Sequence, residues 1–431
     1  MKNRITEIDL LRFIAAMMVV IFHYAFRGFA PPHMSEFSYP LLKPIAKYGY
    51  LGVELFFIIS GFVILMSASS GSLRKFAISR FVRLYPAFWV ACTITFIVVI
   101  LFGGDHFSAT LPQYLANMTM LSGFIGVESI DTAYWSLFIE IKFYILIAAI
   151  LLFKKIKHIE KFLFVWLLIS FLTEVLPTLH LLNTTQLTIL KKSGYLLITE
   201  YSGYFIAGAT MFKIWKDGQP LSHKTTIYRL SIIFATLALV LHQAYESSKQ
   251  YKGNFGEEIN PLIICIIICT FYLVMLLVTL RKTGWFAKHN WTTIGALTYP
   301  LYLIHQHIGY IIFNHLTTNS GPSITNITSG ISDSSTNITT GISDSSSNIT
   351  TRISDCSTNI TTGISDAHNH LISNPGNEQY LINEHLIFWG TIILSITAAY
   401  IINKQIEQRY ASKLNTLLDK ITTNLNKTTN H

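Results

Sequence analysis

The chain has 431 residues, of which 51% are hydrophobic and only 13% charged. Soluble domains carry about 25% charged residues, so this composition excludes an ordinary soluble fold and points to a chain that lives in lipid. The net charge of +9 would suit nucleic acid in a soluble protein. Here the lysines and arginines collect on alternate loops, as they do when membrane topology sets their placement.

Apolar runs long enough to cross a bilayer are expected at 8–29, 46–68, 82–103, 134–153, 161–178, 194–214, 228–245, 260–280, 294–316 and 385–406. The expected fold class is therefore all-α: a membrane bundle of about ten transmembrane helices with a low-complexity extracytoplasmic repeat insert. An even number of spans puts both termini on one side, and the bias of Lys and Arg puts that side in the cytoplasm. The first run is too long for a signal peptide, contains Arg12 and is followed by no small-residue cleavage site, so it is read as a retained span.

The domain organisation follows from these runs. Residues 1–316 form the membrane domain through span 9, 317–384 an extracytoplasmic loop, 385–406 span 10 of the same domain, and 407–431 a basic cytoplasmic tail. Within the loop, "SDSSTNITTGI" (332–342), "SDSSSNITTRI" (343–353) and "SDCSTNITTGI" (354–364) repeat every eleven residues. Isoleucines spaced four and then seven fit a right-handed helical supercoil. The Ser, Thr, Asn, Asp and Gly between them are poor helix formers, so weakly ordered low complexity is the leading reading of the insert. Cys92, Cys265 and Cys269 fall within spans, where a buried hydrophobic role is expected, and no cysteine has metal-ligand spacing.

Ionisable residues inside spans are costly and are functional candidates by default. In "RFIAAMMVVIFH" (12–23) an arginine and a histidine bracket an otherwise apolar run. Eleven helical steps bring Arg12 and His23 to within roughly 20° of one face, about 16 Å apart. A histidine in a membrane-embedded cleft can take a proton from a hydroxyl, and a guanidinium toward the other end can hold a phosphate or a carboxylate. Asp9, one turn before Arg12, is the nearest candidate for its ion-pair partner.

Three further stretches carry polar groups. In "SRFVRLYPAFW" (79–89), Arg80 and Arg83 are neighbours on a helix surface, just before Tyr85, and can clamp a phosphate-bearing ligand. In "YWSLFIEIKFY" (134–144), Ser136 and Glu140 share a face with Trp135 alongside. Glu140 needs a partner there, for which Arg12, Arg80 and Arg83 are better placed than Lys142, about 200° around the helix. In "LTYPLYLIHQH" (297–307), Tyr299, Tyr302, His305 and His307 surround a span whose backbone ladder Pro300 loosens. The bland alternatives are packing hydrogen bonds between helices and an interfacial aromatic belt.

Taken in order, "EIDLLRFIAAMMVVIFH" (7–23), "GVELFFIISGFVI" (52–64), "SRFVRLYPAFW", "WSLFIEIKFY" and "LTYPLYLIH" (297–305) resemble the type 3 acyltransferase family of integral membrane proteins. The resemblance runs over essentially all the spans. It implies an acyl-coenzyme A donor, most often acetyl-coenzyme A, with no bound cofactor and no metal. His23, Arg12 and Glu140 are the implied catalytic residues, and Arg80, Arg83 and Tyr85 the implied donor-binding ones. Asp9, Trp135, Ser136, Tyr302 and His305 are expected to line the site. The implied activity is O-acetylation of a cell-envelope glycan such as lipopolysaccharide O-antigen, in the bacterial inner membrane with membrane lipid and the glycan as partners and no nucleic acid. Many relatives carry an added extracytoplasmic hydrolase-like domain, and only about 25 residues follow the last span here. A transporter of a lipid-linked sugar or small solute is the rival reading, and a surface-attachment protein built on the repeats a third. The first predicts an inverted repeat between halves, which the placement of the motifs does not show.

Overall fold

The computed structural model describes residues 4–179, 183–218, 222–318 and 375–410. The eleven-residue repeats, Cys356 and most of the basic tail lie outside these residues. The described chain is helical and contains no strand. Eight of its helical segments are long and apolar enough to cross a membrane.

Helix α1 (Thr6–Phe22) continues through a π-helical turn, His23–Arg27, to Gly28. There follow α2 (Gly52–Ala68), α3 (Leu73–Phe102), α4 (Trp135–Leu152), α5 (Ile159–Val175) and α6 (Thr199–Asp217). Beyond these come α7 (His223–Phe255), α8 (Pro261–Thr279), α9 (Thr292–Ile304), α10 (Gln306–Thr318) and α11 (Pro375–Ile402). Side-chain caps start several of them, where the first amides lack carbonyl partners. Ser72, Ser222 and Asn260 accept from the amides of Lys75, Thr225 and Leu262 at the starts of α3, α7 and α8.

Two of the expected spans take a different form from the simple apolar rod. The stretch expected at 194–214 breaks at Ile198, in the left-handed region at φ 49°, and restarts as α6. Most of α6 is buried by neighbouring helices. A helix surrounded by protein need not be apolar all round, and its Tyr, Ser, Thr and Gly residues lower its hydropathy below that of the lipid-facing spans. The stretch expected at 294–316 is divided at His305 into α9 and α10.

Both irregularities in the second stretch are chemically compensated. Pro300 has no amide to give to the carbonyl of Ala296, and Asn403 Nδ2 donates to that oxygen instead at 3.2 Å. At the break, Tyr24 Oη donates to the carbonyl of His305 at 2.7 Å and Tyr134 Oη to that of Leu303 at 3.1 Å. Irregular backbone at membrane depth persists where protein groups satisfy it. The polar side chains of α1 and of the segment before α4 therefore fix the shape of α9 and α10.

The core is centred on α2 and α6, which approach so closely that glycine is required on both. A Cβ on Gly61 would lie 2.1 Å from the carbonyl oxygen of Phe205, and one on Gly208 would lie 1.9 Å from that of Ile58. In lipid, helices associate through such close packing of small residues because burial of apolar surface offers little advantage. Gly208→Ala is expected to force the pair apart and destabilise the bundle by about 1–3 kcal/mol. Thermal unfolding in detergent, with the melting midpoint falling by several degrees, checks this.

Helix α1 packs on α2 and α9 by the same device: Gly52 sits on the carbonyl of Ala15, and Gly295 on the side chain of Asp9. Large apolar side chains on the perimeter, including Ile97, Ile100, Leu172, Phe234, Leu262 and Ile393, remain exposed, as lipid-facing residues do. Cys92 is buried as expected, whereas Cys269 is exposed on the apolar perimeter of α8 rather than packed inside.

The bundle has two ends. At the amino-terminal end, Thr6 Oγ1 donates to the carbonyl of His289 and Thr283 Oγ1 to Glu7. Buried Arg229 joins Glu160 and Asp217 there, tying α5, α6 and α7 together. At the opposite end, Lys47 donates to the carbonyl of Glu258, and Asn314 to that of Met34. Arg12 belongs to the first half of α1 and His23 to its far end, so the helix connects the two.

Candidate active site

Midway through the bundle lies a cavity of about 80 Å³. Its polar lining comprises Arg12 of α1, Ser60 of α2, Arg80 and Arg83 of α3, Ser136, Glu140 and Tyr144 of α4, and Thr298, Tyr299 and Tyr302 of α9. The one-face spacing of Ser136 and Glu140 thus brings both to the same space. Ser60 Oγ and Tyr144 Oη each donate to Glu140 Oε1 at 2.8 Å. The direct partners of Glu140 are therefore hydroxyls rather than the arginines expected from sequence.

The arginines nonetheless share the cavity. The charges acting on Arg12 are those of Arg83, Asp9, Glu140 and Arg80. Asp9 itself is bonded to Arg4, Nε to Oδ2 at 2.6 Å, so the expected Asp9–Arg12 pair is replaced by an Arg4–Asp9 pair. This leaves Arg12 with its guanidinium available to the cavity rather than closed in an ion pair. Across the cavity, Tyr302 Oη donates to the carbonyl of Ala133 at 2.8 Å, which leaves Ser136 Oγ to donate to Tyr302 Oη at 2.6 Å.

Toward the amino-terminal end Arg80 and Arg83 also line a larger vestibule of about 630 Å³. Arg80 and Arg83 belong to both spaces, and Arg4, Ser79, Thr292, Thr293, Tyr400, Asn403, Glu407 and Gln408 complete the polar wall of the vestibule. Arg80 donates to Ser79 Oγ at 3.1 Å and packs over the ring of Tyr144, but its Nε is buried without a partner. A buried guanidinium donor left over in a basic cleft fits a bound anion, because an unsatisfied group of this kind is costly. Asn403–Glu407 forms a second π-helical turn, so both π turns described here sit at ends of the polar path.

Tyr85 does not join the paired arginines. Its hydroxyl donates to the carbonyl of Thr119 at 2.9 Å and its ring stacks on Phe81, with Trp89 edge-on beside it. It lies on the other side of α3 from the paired arginines and holds the loop after the short helix Leu111–Met118. Trp135 is likewise outside the central cavity. It packs on Tyr201 and Phe57 and lines a third space of about 340 Å³, which meets the central one at Leu137.

At the opposite end of α1, His23 Nδ1 and Tyr310 Oη are 2.9 Å apart. The His305 ring lies edge-on to that of His23, with centres 5.0 Å apart. The π turn begins at His23 itself, so the imidazole stands where α1 departs from regular geometry. Asp131 is fully buried nearby, its carboxylate accepting from the amides of Ala133 at 2.9 Å and His307 at 3.0 Å. The arrangement is a basic vestibule, a charged midpoint and a histidine-rich far end, strung along α1, α3, α4 and α9.

The profile of the acyltransferase domain family matches residues 5–340, which is most of the chain. The chain belongs to the type 3 acyltransferase family. Among curated relatives, this chain is 24% identical over 344 residues to the peptidoglycan O-acetyltransferase OatA of Listeria monocytogenes, covering 71% of this chain and 50% of OatA. It is 27% identical over 164 residues to nodulation protein 10 of Rhizobium leguminosarum, covering 33% of this chain and 43% of that protein. It is 28% identical over 149 residues to the acyltransferase MdmB of Streptomyces mycarofaciens, covering 33% and 38%. The chain thus spans about half the length of these relatives, or less. No solved structure matches.

Several residues of this candidate site are not evident from sequence. Ser60 lies in the quoted "FIISGF" but is a small residue in an apolar span, indistinguishable there from a packing serine. Tyr144 is four residues after Glu140, a helical neighbour that could have been read as its partner. Tyr310 and Asp131 carry no local signal, because only the long-range fold brings them to His23 and His305.

Proposed function

We propose that the protein is a multi-pass O-acyltransferase of the bacterial cytoplasmic membrane. It moves an acetyl group from acetyl-coenzyme A to a hydroxyl of a cell-envelope glycan such as lipopolysaccharide O-antigen. The observation that carries this reading is that the vestibule and the central cavity share Arg80 and Arg83 in their walls, on the axis that ends at His23. With both termini cytoplasmic, the vestibule opens to the side where coenzyme A is found. The membrane domain is formed by 1–316 and 385–406, with the extracytoplasmic loop 317–384 between them.

Arg80 and Arg83 hold the donor phosphates, for which bidentate guanidinium contacts are suited. Arg12, with Glu140 beside it, lies where the pantetheine arm passes, and about 16 Å of α1 separates it from His23. His23 takes the proton of the acceptor hydroxyl as the oxygen attacks the thioester carbonyl. The C–S bond then breaks, and coenzyme A leaves as the thiol with that proton. Positioning donor and acceptor at one point supplies much of the rate, since the reaction becomes effectively unimolecular.

Mass spectrometry of envelope polysaccharide tests this in cells lacking the gene, complemented with wild type or with His23→Ala. Acetyl mass restored by wild type alone supports both reaction and residue. No mass change with either contradicts the glycan acceptor.

A further inference from the structure

His305 is the second imidazole at the far end, and nothing in the single-base mechanism above uses it. It occupies the break between α9 and α10 and is completely buried. Its Nδ1 is 2.8 Å from the carbonyl oxygen of Tyr302. A carbonyl only accepts, so the ring proton is on Nδ1 and Nε2 is the bare, basic nitrogen. That Nε2 has no hydrogen-bond partner. A lone pair left unmet at this depth is costly, and it lies in a cluster of unmet polar atoms, since Gln306 Oε1 and both ring nitrogens of His307 are also buried without a partner.

Three features of the surroundings suit proton acceptance. The His23 ring is next to it, with His23 Nδ1 already committed to Tyr310 Oη. The carboxylate of Asp131 acts on His305 and supplies a compensating charge, held in place by the amides of Ala133 and His307. The hydroxyl of Tyr24 fixes the backbone of His305 itself, through its carbonyl. His307 acts on both imidazoles and Arg27 on His23, and the Tyr302 ring packs on His305.

We propose that His305 is a second base in the transfer reaction, sharing with His23 the proton taken from the acceptor. The acceptor O–H bond breaks and its proton goes to the pair of imidazoles, with Asp131 balancing the charge. The oxygen forms its bond to the acyl carbon, the C–S bond breaks, and the departing thiolate takes the same proton from the pair. The step is proton-neutral and needs no other reactant. This inference rests on the acyl-transfer reading above and assigns within it a group that also touches the transferred proton.

The test uses the full-length protein in lipid nanodiscs, with acetyl-coenzyme A and an acceptor the wild type acylates. His305→Asn keeps a side-chain N–H for the Tyr302 carbonyl but has no basic nitrogen. It is expected to lower kcat about 10²-fold, with KM for donor and acceptor little changed. In His305→Ala, added imidazoles of graded basicity are expected to restore turnover, faster for the stronger base at equal free-base concentration. Binding of a thioether analogue of the donor serves as the fold control, and His305→Gln replaces His305→Asn if the latter fails it. Unchanged kcat in a folded variant, or rescue indifferent to base strength, overturns the second base and leaves the His23 reading standing. Failure of the wild type to transfer to any hydroxyl acceptor overturns both.

Discussion

His23→Ala is expected to reduce acyl transfer about 10²–10⁴-fold, the contribution of a positioned general base, while leaving donor binding near the wild-type level. The two effects separate because the histidine and the proposed phosphate site, Arg80 and Arg83, are at different ends of the path. His23 is at the far end of α1 with Tyr310 and His305, whereas Arg80 and Arg83 line the vestibule at the amino-terminal end. His23 is also only partly buried and makes one side-chain hydrogen bond, to Tyr310. Its truncation therefore costs the fold little. Equilibrium binding of a thioether donor analogue, read beside single-turnover transfer to an acceptor, checks both halves of the expectation. Loss of binding together with turnover would assign His23 to the structure of the site rather than to its chemistry.

The second large effect is expected from the paired arginines. Arg80→Gln with Arg83→Gln should raise KM for the donor by about 10²-fold or more, since a hydrogen bond to a charged group contributes about 1.5–3 kcal/mol and two are removed. With the chemistry at the far end untouched, kcat at saturating donor should fall much less, the pattern of lost uniform binding. The wild-type KM should also rise with ionic strength, and the double variant should lose much of that dependence. Steady-state kinetics across a salt series measures all three. Arg80 is the more informative single change, because its buried Nε is without a partner in the protein. An unchanged donor KM in the double variant would place the phosphates elsewhere.

The helical membrane fold was legible because its signal is local: apolar runs of bilayer length, interrupted by basic loops. The exceptions have physical causes. Helix α6 is sheathed by other helices, so its composition is that of a protein interior rather than of a lipid-facing rod. The division of α9 from α10 at His305 was foreshadowed by Pro300 only in part, since what holds the break open is the hydroxyls of Tyr24 and Tyr134, distant in sequence. The site was legible to the same degree. Helical spacing placed Ser136 with Glu140 and Arg80 with Arg83, and all four line one cavity with Arg12. Spacing could not choose partners across helices. Asp9 chose Arg4 over Arg12, Glu140 chose Ser60 and Tyr144 over the arginines, and Tyr85 turned to the backbone of Thr119.

The central claim is that donor and acceptor meet from opposite ends of the bundle, with the acyl group passing between them. Proteoliposomes with the protein inserted in one orientation test it directly. Radiolabelled acetyl-coenzyme A is supplied at the amino-terminal face, and hydroxyl acceptor is enclosed on the other side or added on the same side. The account predicts label on the acceptor only when it lies on the side opposite the donor, and none with His23→Ala. Label appearing only on acceptor supplied at the same face as the donor would contradict it.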